Sequence, residues 1–310
     1  MAHSLLHSSN LQTEEFLKGI YGSLAKGSPL TARILFEKIK GAAIKFSRSD
    51  GIHGSGTRFT GQAPKQTEFN YTPVTESTSV FYADFRVDKA ELARMVDPAS
   101  FIQNAVMDQM ASISRAYAHE FLLGDLEVND AGLNGVKNRI AEDLVYTATN
   151  NDIDEVQLQL ALLALQPANP SDLVIVANDF DYVKLVNKLA SKHLLERSTN
   201  AFNLGVVSFN GAEIIRMSTF QKQVKALDGT FSTVTVNPLP KNETVDGVEN
   251  TSSIYILNLA SGRLNGIEGE QGITVSPYEI APIWKGNYIE WHAGLAEFTA
   301  RSAAVIKGIR

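Results

Sequence analysis

The chain has 310 residues, 44% of them hydrophobic, a share large enough to bury a full core and to exclude global disorder. Its 28 basic and 34 acidic residues leave a net charge of -6, which argues against a protein that grips nucleic acid through a basic face. It has no cysteine, so disulfides, thiolate chemistry and cysteine–zinc sites are excluded. On length the chain is one large or two modest domains. Leu160–Leu165 is among the longest apolar runs, well short of the ~20 residues a membrane helix needs. The start, Met1-Ala2-His3-Ser4, lacks the basic-then-apolar pattern of a secretory signal.

Residues 1–42 open polar and then carry two short helical patches, Glu14–Leu24 and Ala32–Ile39, split by Gly27-Ser28-Pro29. This reads as an arm with little core of its own. Residues 47–66 are rich in Gly, Ser, Thr and basic side chains. Phe69, Tyr71, Val74, Val80, Tyr82 and Val87 follow with partial alternation. Residues 43–88 therefore read as a long two-stranded hairpin with a polar tip. A lone ribbon is marginal in water, so this one is expected to need a surface that its own subunit does not offer.

Asp97-Pro98 supplies an N-cap and a proline at the first helical position. Ile102, Val106, Met110, Ile113, Tyr117 and Phe121 then form one apolar stripe, and Gly124 ends the helix. Residues 98–123 would span about 39 Å at 1.5 Å per residue. Beyond them, Asp152–Leu165 reads as a helix stopped by Pro167 and Pro170, Leu173–Ala177 as a buried strand, and Phe180–Lys192 as an amphipathic helix. Val206–Phe209 and Ala212–Met217 flank Asn210-Gly211, the signature of a type I′ hairpin. Residues 220–252 read as loop. Strands are expected at Ser253–Leu257, Ile273–Val275, Tyr278–Ile283, Tyr288–Trp291 and Leu295–Ile306.

No catalytic constellation stands out. Gly51-Ile52-His53-Gly54-Ser55-Gly56-Thr57 lacks the buried strand, the following helix and the Lys-Ser or Lys-Thr of a phosphate loop, so it reads as a hairpin tip. His119-Glu120 lacks the second histidine of a zincin, since position 123 is Leu. The other histidines (His3, His7, His53, His193 and His292) have no ligand spacing. No Gly-x-Ser-x-Gly elbow occurs. The carboxylate pairs Asp125/Glu127, Glu142/Asp143 and Asp152/Asp154 look like solvated loop or cap residues. Catalytic, cofactor-binding and metal residues are therefore all expected to be none, and no cofactor is expected.

The order of elements resembles one family: arm, extended hairpin, long Asp-Pro-capped helix, mixed central domain, closing strands. Three stretches carry the likeness. Ala118-His119-Glu120-Phe121-Leu122-Leu123-Gly124-Asp125 with Gly132-Leu133-Asn134-Gly135-Val136 looks like the passage from spine helix into a Gly-Leu-x-Gly turn. Leu173–Asn178 and Phe209–Ile215 resemble a central A-domain, and Ala303–Gly308 resembles the last strand of a peripheral P-domain. The chain from about residue 43 onward is thus similar to the tailed-bacteriophage major capsid proteins of the Hong Kong ninety-seven type, a fold shared with encapsulins.

The resemblance implies an α+β fold with an N-terminal arm (1–42), an E-loop hairpin (43–88), a P-domain (89–151) with spine helix 98–123, an A-domain (152–252), and P-domain strands with the C-terminus (253–310). It implies a structural protein and no enzyme: a major capsid protein that self-assembles, as hexamers and pentamers, into the icosahedral head shell around the double-stranded DNA of a tailed phage. The alternative it leaves open is an encapsulin-like nanocompartment shell. Expected partners are copies of the chain itself, scaffolding, portal and decoration proteins, and packaged DNA touched weakly and without sequence preference; no membrane is expected. The expected location is the virion, after assembly in the host cytoplasm. Some members carry a built-in scaffolding segment before the arm. Here the hairpin begins near residue 43, so scaffolding is expected from a separate protein or to have been removed genetically. Some members also cross-link a hairpin lysine to a neighbour's asparagine with a glutamate as base. By position the candidates are Lys65, Asn287 and Glu290 or Glu297, beside the plainer reading of Lys65 as a solvated tip residue.

Overall fold

One long helix laid across one face of a six-stranded sheet organises the structure. The computed structural model describes residues 2–4, 15–49, 57, 59–63, 71–165, 169–199, 205–225, 231–280 and 283–310. In chain order the first elements are β1 (Ala2–Ser4), α1 (Glu15–Gly27), α2 (Pro29–Arg33), β2 (Leu35–Ile39), β3 (Ala43–Ser49), β4 (Tyr71–Asp88), α3 (Lys89–Leu92) and α4 (Pro98–Leu123). A middle set follows: β5 (Val145–Thr147), α5 (Glu155–Ala164), β6 (Leu173–Asn178), α6 (Asp179–Ser191), β7 (Leu195–Thr199), β8 (Gly205–Phe209) and β9 (Ala212–Met217). The last are β10 (Phe220–Lys225), β11 (Phe231–Val236), β12 (Glu243–Val245), β13 (Val248–Asn258), β14 (Leu264–Ile280), β15 (Trp284–Glu297) and β16 (Ala303–Ile309).

Helix α4 begins where its cap chemistry dictates. The Asp97 carboxylate accepts from the Ser100 amide at 3.0 Å, and Pro98 occupies the first turn. Val106, Met110, Ile113, Tyr117 and Phe121 of the apolar stripe are buried. The helix stops at Gly124, but not through a left-handed cap, because the φ there is -52°. A Cβ at that position would stand 2.4 Å from the carbonyl oxygens of Glu120 and Leu133. Gly124 is required because the chain doubles back tightly on the helix end.

The stripe rests on a sheet of strand order β1-β2-β14-β15-β4-β3. Tyr117 sits among Phe36 of β2, Phe81 of β4 and Trp291 of β15, with ring centroids 5.5, 5.4 and 4.8 Å away. Its hydroxyl donates to the Gly294 carbonyl at 3.0 Å, so burial leaves its polar end satisfied. Truncating an aromatic of this kind costs about 3–5 kcal/mol.

The second sheet runs β5-β16-β13-β6-β9-β8-β7, with β12 paired to β13. Both faces are covered. Ile175, Ala177, Ile214 and Ile256 pack under α5 and α6, while Val174, Val176, Tyr255 and Leu257 join the core shared with α4. That is why β6 is buried at all six positions and reads as a continuous apolar run instead of an alternating one. The Asn210-Gly211 turn between β8 and β9 takes the expected left-handed geometry, with φ of 49° and 78°.

Several elements differ from the sequence reading. The helical patch at Ala32–Ile39 ends at Arg33, and Leu35–Ile39 is a strand paired in parallel with β14. Phe36 gains more by entering the aromatic core than a short exposed helix returns. Residues 220–252 are not all loop: Phe220–Lys225 pairs with Phe231–Val236 as β10 and β11, and β12 pairs β13, while 237–242 is loop. The segment read as Leu295–Ile306 is two strands, β15 and β16, broken at 298–302. Ile273–Val275 and Tyr278–Ile280, expected as two strands, are the C-terminal part of β14, whose pairing with β15 is interrupted between Glu268 and Ile273; residues 281–282 of the second expected strand lie outside the described residues.

Candidate functional site

The feature that extends beyond the rest of the first sheet is its edge ribbon, β3 paired with the first part of β4. Ala43 pairs with Ser77 and Ser49 with Tyr71. Residues 78–88 of β4 pair instead with β15, and Phe81, Ala83 and Phe85 pack on the α4 core. The ribbon is therefore shorter than the sequence suggests, since the second strand of the expected 43–88 hairpin is half built into the body. The tip residues Gly51–Gly56 and Lys65 lie outside the described residues.

Its root also has more support than a lone hairpin. Ile44, Phe46, Arg48, Val74 and Glu76 alternate with exposed neighbours, so one face of the ribbon lies down on the subunit. Ile44 and Phe46 pack against Ile39, Ile267 and Phe298, with Phe46 and Phe298 centroids 4.6 Å apart. Each strand then sends one charge into the body. Arg48 of β3 binds the Glu297 carboxylate at 3.0 Å. Glu76 of β4 binds Arg139 in a two-pronged pair, one prong at 2.9 Å. Glu297 is 2% exposed, and burial pushes its carboxyl above the ordinary value, outweighing the Arg48 and Arg139 guanidiniums that pull it down.

The seat of this root is the turn after α4. Arg139 donates from Nε to the Asn134 carbonyl at 2.9 Å, and Ser79 donates to the Gly132 carbonyl at 2.6 Å. A Cβ on Gly132 would press within 2.7 Å of Glu120 Oε2, and one on Gly135 within 2.5 Å of the Gly124 nitrogen. Gly132-Leu133-Asn134-Gly135 thus folds tightly enough to offer its carbonyls to the ribbon. A cavity of about 490 Å³ separates turn and ribbon, with Glu76, Arg139, Arg48 and Leu295 in its wall. Its charges are matched in pairs, which suits a braced hinge better than a ligand pocket.

Of the cross-link candidates among the described residues, Asn287 is not brought to either glutamate within one subunit. Asn287 shares the buried face of β15 with Ile289 and Trp291, whereas Glu290 faces the other side of the sheet. Glu297 lies ten residues further along, roughly 33 Å at strand rise, and is engaged with Arg48. His119 lies edge-on to Phe220 at 5.8 Å and 3.8 Å from Glu120. Among the described residues no group of three His, Asp or Glu side chains is placed to hold a metal ion. Asp154 caps α5, and Asp152 pairs with Lys184 and Lys188 at 2.8 Å each. Arg48, Glu76 and Arg139 were not singled out by sequence; the i, i+2 spacing of Ile44, Phe46 and Arg48 was their one local signal.

No protein-family model and no curated protein matches the chain. Solved structures do. The holo-SrpI encapsulin complex from Synechococcus elongatus matches at TM-score 0.62 and 11% identity, covering 89% of this chain and 85% of that one. The capsid of the native GTA particle matches at 0.60 and 12%, covering 93% and 91%. The cyanophage A-1(L) capsid matches at 0.57 and 12%, covering 96% and 94%. On these matches, which cover 89–96% of the chain, this protein has the Hong Kong ninety-seven-type capsid fold.

Proposed function

We propose that the chain is a structural shell subunit and no enzyme: the major capsid protein of a tailed phage, closing around double-stranded DNA as hexamers and pentamers. Residues 1–42 are the arm, 43–88 the E-loop, 89–151 and 253–310 the P-domain around spine helix α4, and 152–252 the A-domain. The observation that carries the reading is the ribbon. Its described part is anchored to its own body at the root, and in this reading the part beyond the root reaches a neighbouring copy. Many modest contacts of this head-to-tail kind, repeated by symmetry, close a shell. The net charge of -6 suits a wall that holds DNA without gripping it. Scaffolding, portal and decoration proteins are further partners in this reading, with assembly in the host cytoplasm and residence in the virion.

The match to an encapsulin complex at TM-score 0.62 favours a second reading, a nanocompartment shell built on the same fold. Packaging separates them. Particles from the native source that carry DNA support the capsid, and particles that carry only protein support the compartment.

The test of the shell reading is to shorten the ribbon. Replacing residues 50–70 with Asn-Gly joins Ser49 to Tyr71 through a two-residue turn, leaving the described register intact. The variant is expected to fold with unchanged circular dichroism and to lose the megadalton boundary in sedimentation velocity. A shortened variant that assembles as fully as the parent refutes the ribbon's role.

A further inference from the structure

The cleft where the arm helix, the long helix and the second sheet converge is unlike the rest of the surface. Its volume is about 440 Å³. Three cations line it, Lys26 at the end of α1, Arg115 on α4 and Arg216 on β9, and none of its lining residues is acidic. Each comes from a different element, so the fold and not a basic run in the sequence collects them. Arg115 is fixed by donating its Nε to the Gly27 carbonyl at 3.2 Å, which leaves its terminal nitrogens to turn outward. Arg216 is 3.3 Å from Asp179 in an exposed pair. Lys26 has no carboxylate partner among the described residues.

Ser218 and Thr219 add exposed hydroxyls beside Pro29 at the rim, while Ser28 is buried and caps α2. The floor belongs to the protein's own packing, with Met217 and Phe220 both 6% exposed. A peptide partner would look for a large apolar anchor pocket, and here the two large apolar side chains, Met217 and Phe220, are already covered. What remains accessible is guanidinium, ammonium and hydroxyl donors around one opening, the donor set that takes phosphate oxygens.

We propose that this cleft is a phosphate socket for the backbone of nucleic acid. The inference rests on the shell reading and deepens it, naming the place where a net acidic wall touches its content. One such socket per subunit holds DNA weakly and without reading sequence, because phosphate contacts position but do not specify. With three cations, log affinity falls against log salt with a slope of about -2.7, at ~0.9 per phosphate neutralised. That is about a 40-fold loss between 50 and 200 mM salt. The surrounding negative charge keeps the interaction confined to the socket and easily reversed by salt.

The test uses the purified full chain and a fluorescein-labelled duplex of about 12 base pairs, followed by anisotropy across a salt series. The wild type is expected to show the slope above. Each of Lys26→Gln, Arg115→Gln and Arg216→Gln should reduce it by ~0.9, and the triple variant should bring it close to zero. Lys137→Gln, an exposed lysine outside the cleft, should leave it unchanged. Should the triple variant fold poorly, the charge-keeping set Lys26→Arg, Arg115→Lys, Arg216→Lys must retain the slope, and formaldehyde must trap DNA on Lys26 of the wild type. A wild type with no salt-dependent binding, a triple variant with the wild-type slope, or a bound duplex displaced more readily by polyglutamate than by unlabelled DNA overturns the socket; the last outcome would assign the cleft to an acidic protein segment. Particle formation is scored separately. A wild type that never assembles speaks against the shell reading, while the slope still decides the socket.

Discussion

Removing one end of the Glu76–Arg139 pair should loosen the ribbon without unfolding the body. The two side chains are only 12% and 8% exposed, and the pair is held by two prongs, so water screens it little. Arg139→Met strands the Glu76 carboxylate in that setting, and breaking a buried pair from one side costs about 3 kcal/mol or more. If opening of the root is local, protection of the amides at 43–48 and 72–77 against hydrogen exchange should fall by about 100-fold. Amides of α4 and β6, in the body of the subunit, should keep their protection. Replacing both partners, Glu76→Leu with Arg139→Met, removes the stranded charge and should recover most of the loss. Equal protection of the ribbon in wild type and Arg139→Met would refute the argument that the root is braced by charge. A loss spread evenly over α4 would show that the pair holds the whole domain instead.

Two neighbouring glycines of α1 should behave oppositely. A Cβ at Gly27 would stand 2.6 Å from the backbone of Ala111, so Gly27→Ala should push α1 off α4 and lower stability by about 1–3 kcal/mol in urea titrations. Nothing lies within 4 Å of a Cβ at Gly22, so Gly22→Ala should raise stability by ~0.5–1 kcal/mol. Glu268 is buried beside Trp291, whose Nε1 donates to it at 2.8 Å, and burial lifts its carboxyl above the ordinary value. Its contribution is therefore fully present below the unfolded value near 4.5 and is lost as pH rises through the folded one. Glu268→Gln keeps an acceptor for the indole and should gain on the wild type in melting temperature as pH rises from 4.5 to 8; a pH-independent gap rejects this. Asp152 runs the other way, since hydrogen bonds from Lys184 and Lys188 hold its carboxyl well below the ordinary range. Its help is present at neutral pH and fades in acid, so Asp152→Asn should cost under ~1 kcal/mol at pH 7, the pair being half exposed, and progressively less as pH falls below the unfolded value of 3.8 towards the folded one.

The parts legible in the sequence were those governed by local chemistry. Asp97-Pro98 and the stripe through Phe121 located α4 to the residue, and Asn210-Gly211 located its hairpin, because caps and turns act within a few positions. Leu35–Ile39 was misread because its conformation is chosen by distant partners, the β14 edge and the aromatic cluster around Trp291. Residues 220–252 were misread because a polar ribbon such as β10–β11 carries no apolar period to detect. The root of the ribbon was hidden for a third reason. Arg48 and Glu297 are 249 positions apart, and Glu76 and Arg139 are 63 apart, so no window on the sequence joins them. Glycine at 124 was noticed for the wrong cause: its role is the close return of the chain, which only the folded turn reveals.

Negative-stain electron microscopy of the purified chain tests the central claim most directly. The account predicts closed shells of uniform diameter, or fivefold and sixfold rings where a scaffold is needed to complete them. A field of dispersed single subunits at every concentration and salt condition would contradict it.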